Sequence, residues 1–381
     1  MRQQKSSQPL HTKKRQLTPA LCTAFADGGD GEYPMRLASV PESLYERIGL
    51  TLGLVPTPFL DTLVALMLAR TLMTAVKHGI FGVVARGRQS ADKIAEVCDL
   101  DRYATKKLLR ALEGAGYLLR RNDNYELTPV AQRWLTPGSA KSFSDGILHR
   151  YLDAGFMNHY DDYVAKGRAA DFHKALTPEQ WNVYERGQRS HAALMAKEVT
   201  WRLPVSRKAT ALLDVGGGHG LYSIELCRRH PRLHATILDL PGAASPTASS
   251  LSSSGIDRIE SRAGDVLVDD LGFEAYDVIL LANVLHHFTA QDNASLVNRV
   301  ARALRTGGVC VILDLIRTPS NQRPRQIEAL MDFYFASASS AGIWTEQDLV
   351  GWQRAAGMKP LRLKRLWSIP ECGLQIAKKE R

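Results

Sequence analysis

The 381-residue chain has little with which to build a metal centre or a disulfide framework. Its five cysteines, Cys22, Cys98, Cys227, Cys310 and Cys372, stand far apart, with no CxxC spacing and no Cys/His cluster. No structural zinc and no bound metal are expected from that pattern, which suits reduced thiols in a cytoplasmic protein. The chain also lacks an uninterrupted apolar run of about 20 residues, the length that crosses a bilayer. Its longest apolar region, 48–72, is punctuated by Pro56, Pro58, Asp61 and Arg70, so no membrane span is expected. The basic N-terminus leads into polar residues rather than the apolar core of a signal peptide. Acids are missing from residues 1–15, where Arg2, Lys5, Lys13, Lys14 and Arg15 supply five of the net +10 charges. This stretch is expected to be a solvated tail, with a nucleic-acid or membrane arm as the alternative.

What is present is ample apolar content, 45% of residues, on a chain long enough for two domains. Residues 1–40 are expected to be a disordered basic tail. From Thr57, Leu60, Leu63, Val64, Met67, Leu68, Leu72 and Val76 recur at spacings of three and four, and Leu66 and Met73 add a second apolar face. A helix capped by Ser90, a helix from about Arg102 to Glu113, and a hairpin turning at Asn122–Asn124 follow. Helix, turn, helix and two-stranded wing define a mainly α-helical winged-helix domain over 41–145. Residues 146–204 read as linking helices. Over 205–381 short apolar runs alternate with amphipathic helices, the mark of a Rossmann-like α/β domain with a mostly parallel sheet. Its last two strands, "MKPLRLKRLW" and "CGLQIAKK", are joined by a short turn and should pair antiparallel.

The stretch "LLDVGGGHG" at 212–220 carries a bare turn straight after the first strand of that domain. Glycines there let a ligand approach the backbone and the next helix's N-terminal amides. The pattern is Asp214-x-Gly216-x-Gly218-x-Gly220, with Leu221 where a dinucleotide fingerprint needs glycine and no Lys-Ser or Lys-Thr for a P-loop. An acid two residues before the first glycine suits a ligand with an ammonium or sulfonium group and no phosphate, which describes S-adenosylmethionine (SAM). Asp239 closes the next strand, where a carboxylate accepts ribose hydroxyls. Asp265, after the third strand, is placed to receive the adenine amino group.

With "LLDVGGGHG", "ILDLPG", "AGDVL" and "YDVILLANVLHHF" in hand, the chain resembles the class I small-molecule O-methyltransferases. These include plant caffeate- and flavonoid-type enzymes and bacterial relatives acting on polyketides and tetrapyrroles. The resemblance runs from about residue 57 to the C-terminus. It implies SAM as methyl donor, S-adenosylhomocysteine as product, and cofactor contacts extending to Leu240, Gly264, Val266 and Asn283. It also implies a homodimer formed through the winged-helix domain, and a small-molecule acceptor held between 151–160 and 330–344. Phe156, Met157, Met331, Tyr334 and Phe335 are the candidate pocket residues, and their character suits a flat, largely apolar, aromatic or polycyclic acceptor. The family's catalytic histidine falls on His286, with Asp314 as its orienting acid.

Three positions depart from the family, one of them Asp314, which is often Glu in the plant enzymes. His287 replaces the usual Asp or Asn, and Ile343 stands where the plant enzymes carry a glutamate near the histidine. If the segment is extended, His287 faces away from His286 and is structural. A phenol has a pKa near 10 and an imidazole near 6.5, so prior ionisation would cost about 5 kcal/mol. A base that removes the proton as the C–O bond forms avoids most of that cost. Three other functions compete: methylation at carbon, a SAM-binding tailoring enzyme that transfers no methyl, and a DNA-binding regulator. The last rests on Arg102, Lys106 and Arg110, which form a basic stripe four residues apart on the would-be recognition helix.

Overall fold

The structure, a computed structural model, describes residues 36–339 and 341–380. The basic stretch 1–35, with Cys22, lies outside the described residues. The first helix, Leu44–Thr51, is closed by a capping box between Ser43 and Glu46. The next runs from Thr57 to Lys77 with a π turn at Leu60–Val64. It begins at Thr57, where the sequence pattern turns helical. Pro58 falls in the first turn, where the missing amide has no intrahelical partner to lose, so the helix continues unbroken. Among the described residues it is the one helix long and apolar enough to cross a membrane, and only 11% of its most apolar stretch is buried. Its C-terminal part, however, belongs to the protein: Leu72, Ala75 and Val76 pack into the winged-helix core, and Arg70 lies 4.8 Å from the Tyr151 ring.

The winged-helix elements form as expected. Ser90 caps Ala91–Val97 by accepting from the Lys93 amide, and Asp101 caps Arg102–Gly114 by accepting from Ala104. Strands β1 (Gln89–Ser90), β2 (Leu118–Arg121) and β3 (Asn124–Leu127) pair in the order β1-β3-β2. The hairpin turns through Asn122 and Asp123, both with positive φ, as a two-residue primed turn requires. On the would-be recognition helix Lys106 pairs with Asp92 at 3.0 Å, which interrupts the basic stripe.

Three helices, Ser144–Met157, Tyr160–Lys166 and Pro178–Arg202, lead into the second sheet. The last crosses Ser144–Met157 so closely that a Cβ on Gly187 would stand 2.5 Å from His149. The sheet contains β4 (Ala211–Val215), β5 (His234–Asp239), β6 (Ile259–Ala263), β7 (Tyr276–Ala282) and β8 (Leu304–Arg317). It is completed by β9 (Trp344–Thr345), β10 (Met358–Pro360), β11 (Lys364–Arg365) and β12 (Cys372–Lys379). The order is β10-β12-β8-β7-β4-β5-β6, parallel from β6 to β8. β12 runs antiparallel to β8, β10 and β11, which bears out the antiparallel ending. Helices cover both faces, and the central strands are buried throughout. The chain leaves β4 toward β5 and β6, then returns to its other side for β7 and β8. That reversal opens a crevice at the carboxyl ends of the strands, where open α/β sheets place their ligands.

Candidate active site

A cavity of about 610 Å³ occupies this crevice, within the range that small ligands need. Gly216 and Gly218 form one wall. Both have positive φ, and a Cβ on Gly216 would lie 2.5 Å from Val284, so the turn admits only glycine there. Asp239, at the end of β5, accepts the Gly218 amide at 2.7 Å and the Leu240 amide at 2.6 Å. Burial raises its pKa to about 6. Leu240, Asp265, Val266 and Asn283 complete this side, so seven of the ten expected cofactor residues meet at one cavity.

The other three lie behind it. Gly220 heads the helix Leu221–Arg229, and Gly264 leaves no room for a Cβ beside Asp269; both glycines serve close packing. Asp214 does not line the cavity. It is fully buried beneath the turn and accepts from Ser223 Oγ at 2.7 Å, and burial lifts its pKa to about 7. A further carboxylate that lines the cavity is Glu185, which sequence reasoning missed. Four residues along the same helix, Arg189 donates to the His219 carbonyl at 3.2 Å and to Ser250 at 2.6 Å, bracing the glycine turn from behind.

At the opposite side, Leu285–His287 forms a 3₁₀ turn just beyond β7. Asn293 Nδ2 donates to the Leu285 carbonyl at 2.9 Å, and Trp344 Nε1 donates to the same oxygen at 2.9 Å, pinning the turn. His286 is buried, with Nδ1 2.7 Å from Asp314 Oδ1 and its ring stacked on Phe335 at 3.8 Å between centroids. The pairing of His286 with Asp314 is thus present, but neither residue lines the cavity. His287 does, 4.3 Å from His286 between centroids. The segment is a 3₁₀ turn rather than extended, so neighbours are rotated by about a third of a turn rather than half, and of the two imidazoles His287 is the one that lines the cavity. Burial, then the neighbouring His286 and His173, hold the His287 pKa well below the usual imidazole value.

The expected acceptor residues are dispersed. Met157 is 45% exposed, and Met331 does not line the cavity. Tyr334 donates to Asp153 at 2.7 Å. Phe156 packs into a small cluster with Trp181, Tyr184 and Ala338. Phe335 stacks on the His286 ring and does not line the cavity. The aromatic wall is built instead by His173, Trp181 and Tyr184. His173 stacks on Trp181, contacts His287 edge-on at 4.7 Å, and lies 3.1 Å from the Tyr184 hydroxyl. The one signal for them was a stripe at Trp181, Tyr184, Glu185 and Gln188, four cavity residues at helical spacing in "TPEQWNVYERGQ". Among the described residues no three His, Cys, Asp or Glu side chains are grouped to hold a metal ion.

Known proteins place this architecture. A 3-hydroxy-5-methyl-1-naphthoate 3-O-methyltransferase of Streptomyces sahachiroi is 27% identical over 325 residues, 82% of this chain and 92% of that protein. An L-tyrosine C(3)-methyltransferase of Streptomyces lavendulae is 28% identical over 249 residues, 62% and 67% of the two chains. The crystal structure of human N-acetylserotonin methyltransferase in complex with SAM has the same fold. It superposes with a TM-score of 0.74 at 17% identity, over 91% of this chain and 100% of the other. The family of the O-methyltransferase domain matches residues 149–358, more than half of the chain. This chain therefore belongs to the O-methyltransferase family, enzymes that take their methyl group from S-adenosylmethionine.

Proposed function

We propose that the protein methylates a hydroxyl of a small, largely apolar, aromatic or polycyclic acceptor, with His286 as general base. The observation that carries this reading is the buried His286–Asp314 pair at 2.7 Å, one imidazole behind the cavity wall. The cavity fits the cofactor. Asp239 suits a ribose diol and Asp265 an adenine amino group, and the bare Gly216–Gly218 turn leaves room for a chain laid against the backbone. SAM supplies, when bound, a methyl group on a positively charged sulfur.

The protein's own part is positioning and proton transfer. With Nδ1–H donating to Asp314, His286 keeps the tautomer whose Nε2 lone pair accepts the acceptor's hydroxyl proton as the C–O bond forms. Asp314 stabilises the imidazolium as it appears. His287 has no acid beside its ring, and burial holds it neutral, which makes it the poorer base and the better hydrogen-bonding wall. Trp181, Tyr184 and His173 give the acceptor a flat aromatic surface and exclude water. The naphthoate named for the Streptomyces sahachiroi relative is of this kind.

We read residues 41–145 as the dimerisation domain, 146–204 as linking helices and 205–381 as the methyltransferase domain. Support for a homodimer comes from Leu44, Tyr45, Ile48, Phe59, Leu63 and Leu66, large apolar side chains left exposed on the first two helices. The test of function is incubation with methyl-labelled SAM and a panel of hydroxylated aromatic acids and polycycles. Label on an acceptor oxygen is expected; label on carbon, or none although SAM binds, overturns the reading.

A further inference from the structure

We infer that Glu185 receives the α-ammonium of SAM, the part expected of Asp214. The inference rests on the cofactor reading above. Asp214 cannot play that part, because it is sealed beneath the glycine turn and bonded to Ser223. Glu185 comes from the helix Pro178–Arg202, on the far side of the turn, and lines the cavity. Its Oε2 lies 2.8 Å from where a Cβ on Gly218 would stand, so the carboxylate rests directly against the turn. The Gly218 amide donates in turn to Asp239. Two carboxylates therefore flank one glycine: Asp239 at the end of β5, where the ribose belongs, and Glu185 on the side that remains.

Glu185 Oε2 is buried and has no hydrogen-bond partner within the protein. The basic groups nearest along its helix are otherwise engaged, Arg186 with Asp145 at 3.3 Å and Arg189 with His219 and Ser250. A buried carboxylate without a cation stays protonated or takes its counter-charge from a ligand. Burial, then the neighbouring Asp239, raise the Glu185 pKa well above the usual carboxylate range, which favours the protonated form until a cation arrives. Arrival of an ammonium makes the ionised form the stable one, and the proton leaves to solvent as the ion pair forms.

The experiment uses calorimetric titration of the full chain with two ligands: S-adenosylhomocysteine, which has the ammonium and a neutral sulfur, and 5′-methylthioadenosine, which has neither ammonium nor carboxylate. Glu185→Gln should weaken S-adenosylhomocysteine about ten- to a hundred-fold, the worth of one charged hydrogen bond. Methylthioadenosine affinity should stay within about two-fold by the same reasoning, and it doubles as the check that the variant is folded. Titrations in buffers of different ionisation enthalpy should show a proton released by the wild type on binding S-adenosylhomocysteine, absent with methylthioadenosine and absent in Glu185→Gln. Equal loss of both ligands, or unchanged binding of S-adenosylhomocysteine, overturns the inference. So does a defect confined to SAM, which would put Glu185 at the sulfonium. If the wild type binds neither ligand, the cofactor reading itself falls.

Discussion

The two walls of the cavity are made differently. The donor wall is backbone and carboxylate at successive strand ends: the glycine turn after β4, Asp239 at the end of β5, Asp265 just past β6. The other wall, the one we propose for the acceptor, is imidazole and aromatic rings carried by helices and a 3₁₀ turn: His173, Trp181, Tyr184 and His287. Burial acts on both and shifts them in opposite directions. It raises Asp239 to about 6 and Asp214 to about 7, and it lowers His173 and His191 to about 4. The common outcome is a site that tends to neutrality before its ligands arrive, since in each case burial disfavours the charged form. Parallel strands all end at the same edge of the sheet, so topology alone brings the donor-wall residues to one side of the crevice. The acceptor wall depends on which face each helix docks.

The largest expected effect separates the walls by function. His286→Ala should lower kcat by about 10²–10⁴, the usual worth of a general base, while S-adenosylhomocysteine affinity stays at the wild-type value. Near-normal turnover would return the residue to a structural role and move the base to His287. Asp239→Ala should do the converse. It should weaken S-adenosylhomocysteine about ten- to a hundred-fold by fluorescence or calorimetric titration, with a smaller effect on the KM of the acceptor. If both parameters move together, the walls are not separable. Trp181→Ala should raise the acceptor KM by about ten-fold or less, reflecting lost aromatic contact of about 1 kcal/mol.

A last difference is in stability against pH, where the two sets should slope oppositely. Asp214 has a folded value of about 7 and an ordinary one near 4, so the folded protein binds its proton more tightly; the stability this gives is present below about pH 4 and lost as pH rises toward 7. His191 has a folded value of about 4 against about 6.5, so its contribution is present above pH 6.5 and lost as pH falls toward 4. Denaturant titrations of Asp214→Asn and His191→Gln between pH 4 and 7 should each remove one slope, about 1.4 kcal/mol per pH unit at its steepest. Parallel changes in the two variants would contradict the assignment.

The same division decides what could be read in advance. The Ser90 cap, the Asn122–Asp123 turn and the antiparallel ending of the sheet were legible because each depends on a few adjacent residues. Seven donor-wall residues were legible because they cluster at strand ends. Asp214 was misjudged because alternation along β4 aims it into the layer that carries Ser223, not along the strand toward the crevice. The segment that carries His287 is a 3₁₀ turn rather than extended, a distinction of about 60° per residue that no composition reveals. The serine-rich stretch after Asp239 gives little periodic signal. Yet it forms the helix Pro241–Ser252, and Thr247 donates from it to the Gly218 carbonyl at 2.6 Å.

One helix joins the two walls. Along Pro178–Arg202, Trp181 faces the aromatic side, Glu185 meets the glycine turn, and Arg189 braces that turn from behind. The three span eight residues, about 12 Å of a single rod, locked at Gly187 against its neighbour. On the roles proposed for Trp181 and Glu185, any repacking that admits a bulkier acceptor at Trp181 tilts or turns the element that also holds the donor. For a lineage drifting toward new acceptors, changing the guest and keeping the methyl source are therefore one evolutionary problem rather than two.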